Sequence, residues 1–199
     1  MDQTPPRHAS GIELPQAIGR EDYRRWAARQ PRGRFERIGG RVVQVSPERI
    51  VHAQVKMRVW QALDRAVREA EVPCQALGDG VTVEVDDDTD YEPDALVNEG
   101  PLPDLDAVVA PNPVIVVEVV SPSSRASDTG AKLAGYFRVP SIQHYLVVCT
   151  TPREVIHHAR RGDAIETRVL RDGTLRLDPP GIGVAVAEFY RDLPALDAG

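Results

Sequence analysis

Residues 114–120 read Val-Ile-Val-Val-Glu-Val-Val, a run of β-branched residues bounded by Pro113 and by Ser121-Pro122. Such a run predicts a short strand buried in the interior of a sheet. It carries one carboxylate, Glu118. Side chains alternate along a strand, so Glu118 shares its face with Val116 and Val120, while Val117 and Val119 point the other way. An ionised carboxylate in those surroundings is costly unless a cation or hydrogen-bond donors compensate it. A strand end open to water would leave Glu118 merely solvated, but two valines still follow it before the loop begins. Glu118 is therefore a functional candidate on energetic grounds.

Compensating groups lie on either side of it in the chain. Downstream, Ser127 reads as an N-cap and Asp128 to Arg138 as a helix, despite Gly130 and Gly135. Asp128 and Lys132 are four apart in the acid-first order, hence on one face. Helical side chains lean toward the N-terminus, so Lys132 reaches back toward the end of the preceding strand. A surface ion pair is the plainer account of that spacing. Upstream, Asp94 opens the apolar stretch Ala95-Leu96-Val97 directly after Pro93, which cannot donate to a sheet ladder and favours a strand start.

A Pro-Asp pair, an acid in a second hydrophobic strand and a lysine near it resemble the PD-(D/E)XK nuclease superfamily. More narrowly, the chain resembles the Uma-type family of bacterial restriction-endonuclease-like proteins. The resemblance is carried by Glu92-Pro93-Asp94, by Val117 to Ser124, and by Asp128 through Lys132 to Tyr136, with weaker matches at Phe35 to Arg41 and at His52. It covers roughly Arg34 to Leu193. One departure stands out: the superfamily lysine normally follows the glutamate by two residues, where this chain has Val120. In the narrower family the lysine sits on the following helix, which Lys132 matches. The resemblance implies that Asp94, Glu118 and the backbone carbonyl of Val119 hold Mg²⁺ (or Mn²⁺), that Lys132 assists hydrolysis, and that Asp128 holds Lys132. It also brings His52 and Glu36 toward the site as supporting residues; a capping or exposed histidine and a solvated hairpin glutamate are the plainer accounts of those two.

The remaining sequence bounds these expectations. At 199 residues the chain is one domain, expected over residues 20–193, with a loose N-terminal segment (1–19) and a loose C-terminus (194–199). No apolar run approaches the roughly 20 residues that span a bilayer. The N-terminus lacks a secretory signal, and Cys74 and Cys149 stand apart from any metal-ligand spacing, so the cytoplasm is the default compartment. The net charge of -6 sits awkwardly with a phosphate-binding surface, although Arg20, Arg24, Arg25, Arg29, Arg32, Arg34 and Arg37 crowd one short stretch.

Taken in order, a short helix spans Arg20 to Arg29, with Tyr23, Trp26 and Ala27 inward. A hairpin follows around Gly39-Gly40, and a long helix runs from Ser46-Pro47-Glu48 to about Ala70. That helix buries a stripe of Val51, Val55, Val59, Ala62, Ala66 and Ala70. Val81 to Val85 is a strand and Asp86 to Asp90 a solvated turn; residues 98–112 are a proline-rich loop that either covers the site or merely connects strands. Gln143 to Cys149, Glu154 to Ala159, Ala164 to Leu170 and Thr174 to Leu177 are further strands, and Ala187 to Arg191 a last helical turn. His157 and His158 face opposite sides of their strand and cannot chelate one ion together.

The expected fold is α/β: a restriction-endonuclease-like core with a mixed central sheet flanked by helices, plus antiparallel hairpin extensions. The expected activity is metal-dependent endonucleolytic hydrolysis of phosphodiester bonds, with DNA as substrate. The alternative is a catalytically inactive module on the same fold that binds nucleic acid or protein; a homodimer stays open. A serine hydrolase using Ser121, Ser123 or Ser124 is disfavoured, because no Gly-x-Ser-x-Gly turn is present.

Overall fold

A strand buried on both faces needs partner strands beside it and packed layers above and below. The computed structural model, which describes residues 14–31, 33–45, 48–101, 104–121 and 125–194 (backbone alone for 45 and 125–129), shows how the chain provides them. The order is α1 (Arg20–Ala27), β1 (Arg34–Ile38), β2 (Arg41–Val45), α2 (Ile50–Glu69), β3 (Cys74–Gly78), β4 (Val83–Asp86), β5 (Thr89–Tyr91), β6 (Ala95–Glu99) and β7 (Pro113–Val120). Then come α3 (Arg125–Tyr136), β8 (His144–Cys149), β9 (Glu154–Arg161), β10 (Ala164–Leu170), β11 (Thr174–Leu177), β12 (Ile182–Ala185) and a 3-10 turn, Val186–Tyr190.

All of β7 is buried. It lies inside a six-stranded mixed sheet of order β10-β9-β8-β7-β6-β3, parallel to β8 and antiparallel to β6. A parallel pair needs a crossover, and α3 supplies it. On one side of the sheet Val117 and Val119 of β7 pack with Val55, Val59, Leu63 and Val67 of α2 and with Leu175, Val184 and Phe189 from the C-terminal elements. On the other side Val116 and Val120 pack with Leu96, Tyr136, Tyr145 and Val147. Glu118 therefore belongs to the α3 side, the face that strand alternation assigns it.

A second, four-stranded sheet has the order β2-β1-β5-β4. Gly39 and Gly40 both adopt positive φ, 55° and 72°, at the two-residue turn of its β1–β2 hairpin, as a primed turn requires. Tyr23 of α1 packs there with Phe35 and Val42, and its hydroxyl donates to the Phe35 carbonyl at 2.6 Å.

Several expectations shift. α2 begins at Ile50 with Arg49 as its cap residue, and Ser46-Pro47 lies outside the described residues. Its buried stripe includes Leu63 and Val67, whereas Ala70 lies beyond the helix and is exposed. α3 begins two residues before Ser127, so Ser127 falls within its first turn rather than capping it. β3 was not expected: Cys-Gln-Ala-Leu-Gly has no β-branched residue, and it becomes a strand through pairing with β6. The Asp86 to Asp90 turn is not all solvated, since Asp90 is buried against Arg37. The loop after β6 leaves the end of the β6–β7 hairpin opposite Asp94 and Glu118, with Asn98 already inside β6 and bonded to the Asn112 amide at 2.8 Å. β11 pairs with β12, an unexpected strand, as a separate ribbon rather than extending the main sheet. Within the segment expected to be loose, the Pro15 carbonyl accepts the Val42 amide and the Ile18 amide donates to the Gly40 carbonyl of the β1–β2 hairpin, while residues 1–13 and 195–199 lie outside the described residues.

Candidate active site

Glu118 meets its counter-charge across the crossover. Lys132 and Tyr136 are one turn apart on α3, so both face β7. The Lys132 ammonium donates to Glu118 Oε1 at 2.9 Å, and the Tyr136 hydroxyl donates to the same oxygen at 2.6 Å. Lys132 also donates to Glu36 Oε1 of β1, at 3.0 Å, and Glu36 accepts the Glu92 amide at 3.2 Å. Lys132 is buried, not a member of a surface pair. The helix approaches closely because Gly135 has no side chain: a Cβ there would lie 2.6 Å from the Tyr91 ring. Tyr91 in turn packs edge-on against Tyr136 and lies under the Lys132 ammonium, 5.5 Å from ring centre to nitrogen.

One ammonium is thus shared by two buried carboxylates, with Asp94 close by. Burial pushes the Glu118 carboxyl up to about 7; Lys132 pulls against this, while Asp94 and Glu36 add to it. For Lys132 burial works against the charge, but Glu118 and Glu36 outweigh it and hold the ammonium well above its ordinary range. These directions agree: the cation gains from both acids, whereas the acids divide one cation.

Asp94 stands between Pro93 and β6. Its amide donates to the Val117 carbonyl at 3.0 Å, and its Oδ2 accepts the Val119 amide at 2.7 Å. Its carboxylate is thereby fastened to the residue next to Glu118. The other oxygen, Oδ1, lies 2.7 Å from the Lys56 ammonium of α2. Burial raises the Asp94 carboxyl, against the pull of Lys56 and of the Val119 amide. His52, one turn before Lys56, donates through Nε2 to the Val119 carbonyl, and its Nδ1 lies 3.3 Å from Glu48 Oε2. Lys56 also bonds Asp79 Oδ2 at 2.9 Å and Glu48 Oε1. Glu48, Asp79 and Asp94 offer oxygens within 4.8 Å of one another.

The fold therefore gathers Glu36, His52, Asp94, Glu118, the Val119 backbone and Lys132 at one end of β6 and β7. The Asp128 side chain lies outside the described residues. Lys56, Glu48, Asp79, Tyr91 and Tyr136 join the constellation without having been picked from the sequence. A lysine beside Val55 and Val59 on the inward half of α2 was the available signal, because it demands a buried counter-charge. The tandem histidines stay apart: His157 pairs with His144 at 2.9 Å, and His158 with Thr167 at 2.8 Å.

Residues 20–187 match the family model described as "Uma2: Putative restriction endonuclease". The chain belongs to the Uma2 family. The match takes in α1 at its start, ahead of the Arg34 boundary of the sequence resemblance, and stops within the 3-10 turn. A protein of Synechocystis sp. described only as uncharacterized is 26% identical over 189 residues, covering 94% of this chain and 97% of that one. Among solved structures, one described as "a putative nuclease belonging to DUF820" from Anabaena variabilis superposes with a TM-score of 0.67 at 14% identity, covering 87% of this Uma2 chain and 97% of that one. The two share the mixed α/β fold. Among the described residues no helix is long and apolar enough to cross a membrane.

Proposed function

We propose that this Uma2 chain is a divalent-metal-dependent endonuclease that hydrolyses phosphodiester bonds in DNA. The observation that carries the reading is the uneven charge at the end of β6 and β7. Asp94 and Glu118 are both buried there, beside the Val119 carbonyl, with the Lys132 ammonium divided between Glu118 and Glu36. Carboxylate and carbonyl oxygens are the hard donors that Mg²⁺ or Mn²⁺ takes, and a bound cation would offset the burial, and the nearby Asp94 and Glu36 charges, that raise the Glu118 carboxyl. Asp94, Glu118 and Val119 would hold the ion. When bound, it would supply Lewis-acid stabilisation of the phosphate and make water a better nucleophile.

The chain's own residues do the rest. Tyr136 holds Glu118 in place through its hydroxyl, and the Val119 amide does the same for Asp94. An ammonium has three N–H donors. Among the described residues Lys132 directs two of them at Glu118 and Glu36, and the third would serve a phosphate oxygen or the attacking water. Tyr91 covers the ammonium and keeps it desolvated.

A second reading, a non-catalytic module on the same fold, is favoured by the arginines near the N-terminus. Arg20 and Arg37 engage Asp90, Arg24 engages Glu84, and Arg34 engages Glu48 and Asp79, so these bases are already partnered by acids. Plasmid nicking with Mg²⁺ or Mn²⁺ separates the two readings. The endonuclease should nick, and Asp94→Ala and Glu118→Ala should each abolish both nicking and calorimetric metal binding. A well-folded wild type that cleaves neither DNA nor RNA with any divalent metal would leave the binding module.

A further inference from the structure

The second lysine network is built differently from the first. Three carboxylate oxygens, from Glu48, Asp79 and Asp94, lie within 4.8 Å of one another. The Lys56 ammonium stands among them, 2.7 Å from Asp94 Oδ1, 2.9 Å from Asp79 Oδ2 and also on Glu48 Oε1. Three N–H donors therefore face three acids, and no donor remains for a substrate. Lys56 is 6% exposed. Arg34 closes the cluster from outside, 3.0 Å from Glu48 Oε1 and also on Asp79, but its side chain is 34% exposed and can swing into water. Asp94 stands between the two networks: one of its oxygens faces Lys56, and the other accepts the amide of Val119, the residue next to Glu118.

We infer that Lys56 is a resident cation that fills a second divalent-metal position next to the proposed one, so that the wild-type site accepts a single ion. The carboxylates required for a two-ion arrangement bridged by Asp94 are present, and the lysine closes the second position. As well as filling it, Lys56 positions Asp94. The inference rests on the metal-dependent reading for the first ion but not for the second, which depends only on Glu48, Asp79, Asp94 and Lys56.

The test counts Mn²⁺ ions per chain, by calorimetry and by electron paramagnetic resonance of bound metal. Wild type should bind one. Lys56→Met, which keeps the volume and removes the charge, should bind one more, and the pair should show the spin coupling of ions sharing a carboxylate, roughly 4 Å apart. Lys56→Arg should stay at the wild-type count. Lys56→Met combined with Glu48→Gln and Asp79→Asn should lose the added ion. If Lys56→Met is unfolded without metal, Mn²⁺ at millimolar concentration should restore its circular dichroism. No added ion in folded Lys56→Met, or no recovery of an unfolded one, overturns the inference. A wild-type count of zero would overturn the metal-dependent reading instead, while a gain of one ion in Lys56→Met would still uphold the role of Lys56.

Discussion

Two buried ion pairs show what separates scaffold from site. In the small sheet, the Arg37 guanidinium donates to Asp90 at 2.7 Å and to the Asp87 carbonyl at 2.8 Å, and Arg20 adds a second cation to Asp90 at 3.0 Å. There cations outnumber the buried acid, and the planar fork of arginine is matched to fixed acceptors. At the end of β7 the balance is reversed: Glu118 and Glu36 divide one lysine, with Asp94 nearby. A compensated pair stiffens a fold. An under-compensated one is where the proposed metal ion would bind, with the surrounding tyrosines and strands holding the acids together.

The sharpest way to break the comparison is to remove one group from each region. Lys132→Ala should lower cleavage by about 10²- to 10³-fold with metal affinity little changed, since lysine is no ligand. Arg37→Ala should instead destabilise the fold by about 3–5 kcal/mol, measured by urea unfolding, and leave metal affinity in the remaining folded protein unchanged. If Arg37→Ala altered metal binding and Lys132→Ala left cleavage intact, the two regions would have been assigned the wrong way round. A smaller effect is expected from moving the lysine. Val120 shares the Glu118 face and is buried, so adding Val120→Lys to Lys132→Ala should recover roughly tenfold of the lost activity. No recovery in a folded double variant would tie the chemistry to α3.

The pH dependence of stability sharpens the same contrast. With its folded value raised from 4.5 to about 7, Glu118 keeps a proton in the metal-free fold that the unfolded chain has already released. Stability from this group is therefore full below about 4.5 and falls as pH rises through about 7. Glu118→Gln should flatten that decline, and its metal-free melting temperature at about pH 8 should exceed that of wild type. Added Mg²⁺ should stabilise wild type alone. A lower melting temperature for Glu118→Gln would mean that protein groups already compensate the charge.

The smallest effect belongs to the buried histidine pair, whose sign is opposite. Burial lowers His144 and His157 from 6.5 to about 4, so on acidification the unfolded chain takes up protons first and stability drops between about 6.5 and about 4. His157→Gln should lessen that acid loss by about 1 kcal/mol near pH 5.5, by thermal melting, without affecting cleavage at neutral pH.

What the chain determined by itself was local. Alternation along β7 put Glu118 on the Val116 and Val120 face, Pro93 marked the start of the Asp94 strand, and the lean of helical side chains sent Lys132 back toward β7. Those follow from strand and helix geometry and are legible one segment at a time. Which charges would share a lysine was not. Glu36 and Lys132 are 96 residues apart, and the Glu36 strand meets α3 because it pairs with β5, whose Tyr91 packs in one cluster with Tyr136 of α3. Lys56 looked like one more polar position on α2 until the Glu48, Asp79 and Asp94 segments closed around it. Pairing between distant segments depends on how whole layers dock, and a buried charge has no way to declare its partner in a pattern of neighbours. The tertiary structure alone decided that one lysine divides its charge between two acids while the other is enclosed by three.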